Sequence, residues 1–133
     1  MLAITKQSDY GILMLSHIYK KNKLVKLSDL IKETKLPKRF LARIAAELVK
    51  NKLLISHEGK NGGYLISENI NKTTLYDYLK IFEDNLSLCG CLDEEDQCRY
   101  ENICQHKNFF NNNLAAIITR ELKKHKLSKL LQK

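Results

Sequence analysis

The stretch from Pro37 to Ser67 constrains the fold more than any other. Pro37 suits the first position of a helix that should run to about Asn51. At about 100° per residue, Phe40, Leu41, Ile44, Ala45 and Leu48 share one apolar arc, while Arg39, Arg43 and Lys50 fall within about 40° of each other on the opposite side. One face packs and the other is cationic. Ala42 and Ala46 lie beside the basic stripe and are small enough to let the backbone approach a groove closely. Directly behind come two short apolar strands, Leu53-Leu54-Ile55-Ser56 and Tyr64-Leu65-Ile66-Ser67. They flank His57-Glu58-Gly59-Lys60-Asn61-Gly62-Gly63, whose three glycines permit the positive φ values of a hairpin.

Upstream, Ser28 reads as an N-cap with Asp29 in the following turn, for a short helix through about Thr34. Thr34-Lys35-Leu36 then makes a brief turn. A short helix, a tight turn and a second amphipathic helix form a helix-turn-helix, whose second helix enters a major groove, and a hairpin directly after it is a wing. A solvated basic face and a simple chain reversal are the ordinary explanations of such charges and glycines; the order of elements raises DNA binding above them. The expected contact surface comprises Ser28, Lys38, Arg39 and Arg43 from the helices, with Lys60, Asn61, Gly62, Gly63 and Tyr64 from the wing.

The charge balance agrees. The chain has 133 residues with 23 Lys and Arg against 15 Asp and Glu, a net charge of +8. Such an excess favours a polyanionic partner through field attraction and counterion release. The length is that of one ordinary domain with one core. No apolar run approaches the ~20 residues needed to cross a bilayer, and the N-terminus lacks the cationic region, apolar core and cleavage site of a secretory signal, so a cytoplasmic location is expected.

Ser8 to Lys21 should form a central, largely buried first helix, since Tyr10, Ile12, Leu13, Met14, Leu15, Ile18 and Tyr19 cover most of its circumference. Asp9 falls in its first turn, where the helix dipole alone favours a carboxylate. Beyond the hairpin, Thr73 or Thr74 caps a helix carrying Leu75, Tyr78, Leu79 and Phe82 on one face. A further helix from about Lys107 to Lys124 carries the stripe Phe110, Leu114, Ile117, Ile118 and Leu122. An isolated stripe needs a partner, which a two-fold dimer supplies while pairing two DNA readers. The tail from Leu127 to Lys133 is basic and expected to fray. The fold class is therefore mainly α with a small β-hairpin wing: a winged helix-turn-helix over residues 1–85, a cysteine-rich loop over 86–106, and a dimerisation helix with basic tail over 107–133.

All four cysteines, Cys89, Cys91, Cys98 and Cys104, occur in LCGCLDEEDQCRYENICQH, in the pattern C-x-C-x6-C-x5-C with His106 just beyond. Thiolates converging from one loop suit a soft metal or an iron-sulfur cluster. The gaps differ from the C-x2-C and C-x4-C pairs of tight zinc turns and favour something larger than one ion. Disulfides fit poorly with a cytosolic chain, and Asp93, Glu94, Glu95 and Asp96 are too hydrophilic to surround inert buried thiols. A thiol switch stays open as the alternative.

These residues together resemble a known family. The opening T-K-x-x-D-Y at Thr5 to Tyr10, the helix-turn-helix through Leu53, the G-x-x-G-G-Y wing at Gly59 to Tyr64 and the cysteine loop before the last helix are similar to bacterial winged-helix regulators of the IscR and NsrR type. The resemblance implies a dimeric transcription factor holding a 4Fe-4S cluster, with 2Fe-2S as the alternative, through Cys91, Cys98 and Cys104 plus one further ligand. IscR-like members place a histidine three positions after the third cysteine, where this chain has Lys107, with His106 one residue early. NsrR-like members use an N-terminal aspartate from the other subunit, which Asp9 matches; Cys89 and His106 are the rival fourth ligands. Ala42 stands where a base-reading polar residue is frequent, and Glu58 replaces an arginine before the first wing glycine, so no operator sequence carries over.

The expected function is a homodimeric regulator, read as a repressor, that binds double-stranded operator DNA and senses redox state, nitric oxide or cluster status. A cluster-free thiol-switch regulator is the alternative, and an iron-sulfur electron carrier a weaker one, because a carrier needs neither a basic groove-facing helix nor a wing. No small-molecule substrate is expected. No nucleophile and base stand together, and His17, His57 and His125 fall in separate elements, so the chain does not read as an enzyme.

Overall fold

The computed structural model describes residues 3–83, 86–88, 99–106 and 108–132. Helix α1, Lys6–Lys21, begins two residues earlier than the periodicity suggests because Thr5 is its N-cap, with Oγ1 accepting the Ser8 amide at 3.3 Å. It ends on Asn22 in the left-handed region, whose amide donates to the Ile18 carbonyl. Met14, Leu15 and Ile18 are fully buried, so α1 is the central helix.

Helix α2 spans Leu27–Thr34, and here the expected cap is corrected. Lys26, not Ser28, is the N-cap, and Ser28 lies exposed inside the first turn. The Lys26 carbonyl already accepts the Asp29 and Leu30 amides, while Val25 just before it is held in extended pairing with Tyr64; that pairing fixes where the helix starts. Lys35, left-handed with φ 57°, closes α2, and Pro37 is the cap rather than the first residue of α3, Lys38–Lys50. Leu41, Ile44, Ala45 and Leu48 form the buried stripe of α3.

Strands β1, Leu54–His57, and β2, Gly63–Ile66, pair antiparallel with Leu54 opposite Ile66 and His57 opposite Gly63. Gly59 takes φ +105° in the turn between them. The hairpin is not free-standing. Val25 and Tyr64 exchange both backbone hydrogen bonds, at 2.9 and 2.8 Å, and a Cβ on Gly63 would collide with the Val25 carbonyl, so only glycine allows this close approach.

A short 3-10 turn, Glu68–Asn71, buries Ile70 and leads to α4, Leu75–Phe82. Thr74 and Asp77 form a reciprocal capping box, which decides between the two candidate threonines. Helical structure resumes with a π-helical turn, Phe109–Leu114, that runs directly into α5, Ala115–Lys124.

The tail departs from expectation. Rather than fraying, it forms α6, Leu127–Leu131, with Leu127 and Leu131 fully buried in the same core as Met14 and Leu15. Main-chain hydrogen bonds from Leu75 to the His125 carbonyl and from Leu127 to the Thr73 carbonyl, each 2.9 Å, pin it to the start of α4. Burying two leucines contributes roughly 1.5 to 3 kcal/mol each, enough to order a short segment that helix propensity alone would leave melted.

Candidate nucleic-acid interface and cysteine loop

The outer side of α3 is built by default: its apolar stripe goes to the core, so Lys38, Arg39 and Arg43 are left exposed together, with Ala42 half-buried and Ala46 exposed beside them. None of the three cations has a side-chain ion pair or hydrogen bond among the described residues. An edge-to-face contact between Tyr10 and Phe40, 5.8 Å between ring centroids, locks the first turn of α3 onto α1. Between α1 and α2, His17 Nε2 approaches Glu33 Oε2 at 2.8 Å, with Lys21 Nζ 3.9 Å from the other oxygen. Helix α1 thus contacts both α2 and α3.

In the wing, Lys60 and Asn61 are exposed at the tip, whereas Gly62, Gly63 and Tyr64 are half-buried. The Tyr64 side chain packs against the core and its backbone is committed to Val25, so it first of all holds the wing in place.

Asp9 is exposed in the first turn of α1. One residue before it, the Ser8 carbonyl accepts a 2.5 Å hydrogen bond from the hydroxyl of Tyr78, a fully buried residue of α4. Burial, and secondarily the nearby Asp9 carboxylate, pushes the Tyr78 phenol far above its ordinary range, so it stays a neutral donor. A Cβ on Gly11 would strike this hydroxyl. Periodicity does not reveal the link; its signal is a glycine in an apolar helix together with a tyrosine on the core-facing stripe of another.

In the cysteine loop, the Cys104 amide donates to the Tyr100 carbonyl at 2.8 Å, and the half-buried Cys104 carries a free thiol. Its Sγ lies 3.7 Å from both ring nitrogens of His106, whose ring meets Phe110 edge-on at 5.8 Å. Cys89, Cys91 and Cys98 lie outside the described residues. Among the described residues, no three His, Cys, Asp or Glu side chains converge on a possible ion, so Asp9, Cys104 and His106 are not brought together within one protomer. Ile103, Phe109 and Ile117, respectively 76%, 51% and 51% exposed, leave the loop and the following helix with apolar surface turned outward.

A central helix, a helix-turn-helix with an exposed cationic second helix, a hairpin behind it and a C-terminal helix define the winged helix-turn-helix class. The chain belongs to the Rrf2 family, described as iron-dependent transcriptional regulators, whose family model matches residues 4–133. A helix-turn-helix-type transcriptional regulator of Aquifex aeolicus is 29% identical over 90 residues, covering 67% of this chain and 62% of the relative. This chain therefore spans less than two thirds of that relative's length. The regulator NsrR of Halalkalibacterium halodurans is 26% identical over 133 residues, covering 98% of this chain and 90% of the relative. The structure of CymR, the global cysteine regulator of B. subtilis, superposes with a TM-score of 0.73 at 20% identity, covering 98% of this chain and 97% of that one. The family and the relatives that the chain matches are described as transcriptional regulators. Among the described residues no helix is long and apolar enough to cross a membrane.

Proposed function

We propose that this regulator binds double-stranded operator DNA as a homodimer and senses redox state or nitric oxide through a cysteine-held iron-sulfur cluster. The observation that carries the DNA half is the exposed, unpaired trio Lys38, Arg39 and Arg43 on a helix whose opposite face is locked in the core. With α3 in the major groove, Arg39 and Arg43 have the fork geometry that reads guanine, while Lys38 and Lys60 neutralise phosphates and Asn61 with the Gly62-Gly63 backbone follows the neighbouring groove. Ser28, exposed on α2, supplies a hydroxyl for a phosphate contact in this reading.

For the cluster, the donors in view fit. Cys104 is a free thiol on a hydrogen-bonded turn, and Asp9 is an exposed carboxylate at a helix start held by Tyr78. The assigned ligands are Cys91, Cys98, Cys104 and Asp9 of the partner subunit, with Cys89 and His106 as rivals; 4Fe-4S is favoured over 2Fe-2S. A bound cluster supplies iron-thiolate bonds that oxidation or nitric oxide breaks. The second reading, a cluster-free thiol switch, draws on the partly accessible Cys104 thiol beside His106.

Anaerobic purification with absorption spectroscopy and iron and sulfide counting separates the two: the cluster reading expects a coloured protein with both elements in stoichiometric amount, and a colourless protein rejects it. For DNA, four cationic contacts per protomer made twice imply a log-log salt slope near −7. Arg39→Ala or Arg43→Ala should weaken specific binding by about 1 to 3 kcal/mol. Unchanged affinity in a folded double variant rejects this face.

A further inference from the structure

Between the start of α1, the outer side of α3 and the end of α4 lies a cavity of about 350 Å³ lined by Gln7, Arg43, Ile44, Glu47, Ile81 and Phe82. Its exposed lining is more polar than apolar, with Ile44 buried beneath and Ile81 and Phe82 half-buried at one side. Arg43 and Glu47 stand one helical turn apart on α3, close enough to form an i,i+4 ion pair, yet among the described residues neither side chain, nor that of Gln7, makes an ion pair or hydrogen bond. Three polar groups thus face one cavity unpartnered, with opposite charges a turn apart over Ile44, Ile81 and Phe82.

We propose that this cavity binds a free α-amino acid with an apolar side chain. An α-amino acid carries its ammonium and carboxylate on adjoining atoms, so it can bridge Arg43 and Glu47 at once. The Arg43 guanidinium takes the carboxylate in a bidentate contact, Glu47 accepts from the ammonium, Gln7 supplies an amide, and the side chain lies on Phe82 and Ile81. The opening is broad, so binding is weak and suited to sensing abundant metabolites. Occupancy also engages Arg43, one of the groups assigned to DNA; this regulatory consequence rests on the reading under Proposed function, whereas the binding itself does not.

Calorimetric titration of the full chain with L-leucine, L-methionine and L-phenylalanine tests the binding directly. The expected result is saturable one-to-one binding of at least one of them, weakened about ten-fold or more when the probe is its N-acetyl derivative or the corresponding amine, and likewise in Glu47→Gln. No saturable binding, or equal binding of the blocked probes, overturns the site. As a check that the cavity itself is occupied, amide resonances of residues 43–47 and 81–82 should shift in ¹H–¹⁵N spectra; shifts elsewhere only would also overturn it. If the amino acid binds but operator affinity is unmoved at saturating concentration, the site stands and the role of Arg43 in DNA reading fails.

Discussion

Helices α5 and α6 make an instructive pair. α5 has ten residues and a clear apolar stripe, yet buries none of them fully, and Ile117 is 51% exposed. α6 has five residues in a basic tail and buries three, two of them with no exposed surface at all. The difference lies in where the main chain is tied. α6 is delivered to the core by backbone pairing between Thr74 and Lys126, which points Leu127 and Leu131 inward. α5 instead lies along α4, with Lys123 of α5 over the Tyr76 ring at 4.6 Å, which leaves its other side open. Amphipathicity says that a helix wants a partner; the anchoring of its ends says which one it gets.

The largest effect expected from this contrast is in the tail. Leu127→Ala or Leu131→Ala should each destabilise the fold by about 2 to 5 kcal/mol, read from urea unfolding, because each leaves a cavity in the core under α1. A cost under about 1 kcal/mol would mean that α6 is merely draped on the surface, and the contrast with α5 would disappear. Next comes Tyr78→Phe, which deletes one buried hydroxyl and leaves the Ser8 carbonyl without this partner. A loss of about 1 to 3 kcal/mol is expected in the same measurement.

These two cases also show what could be read in advance. The basic face of α3 was legible because a 3.6-residue period sorts Arg39 and Arg43 from Leu41 and Ile44 using local information only. The wing was legible for a similar reason, since a glycine-rich turn between two short apolar runs has few other solutions. Its anchoring to Val25 was not, because that pairing joins residues almost forty positions apart and leaves no local mark. The same holds for α6: Leu127, Leu130 and Leu131 among lysines look like any soluble tail until Thr73 and His125 fix its position. Ser28 has the right chemistry for a cap, but tertiary pairing at Val25 started the helix earlier and overrode it. For the cluster donors, spacing pointed to soft-metal chemistry, while the choice of Asp9 came through resemblance, and among the described residues no group of three donor side chains includes it.

On α5 the expected effects on folding are smaller. Ile117→Ser should alter the unfolding free energy of the monomer by no more than about 0.5 kcal/mol, since the side chain is half exposed. If a second copy of the chain covers this stripe, as its apolar periodicity suggests, the same substitution should shift the monomer-dimer equilibrium toward monomer in sedimentation experiments. A variant that unfolds readily as a monomer would instead place Ile117 in the internal core and undo the distinction from α6.

The smallest effect concerns the end of α5. Glu121 is held below the usual carboxylate range first by a hydrogen bond from His125 and then by one from Lys124, at 3.2 and 3.3 Å. All three side chains are at least half exposed, so solvent screens the attraction and little stability depends on it. The sign is nevertheless defined. A carboxylate whose folded pKa is depressed stabilises the fold above its unfolded pKa, and that contribution fades as pH falls through the folded value. Glu121→Gln should therefore leave unfolding at neutral pH nearly unchanged, and any small deficit should vanish in acid, where the native carboxylate is protonated as well. Carbon-detected titration gives the sharper reading: the Glu121 carboxyl midpoint should lie below that of an unpartnered glutamate and move up in His125→Ala. Because the His125 backbone carbonyl also accepts the Leu75 amide at the root of α6, His125→Ala, which keeps that carbonyl, should relax the carboxylate without loosening the tail. If the tail loosens with it, the side-chain contact and the backbone anchor are coupled, and the ends of α5 and α6 are not the independent features that their burial suggests.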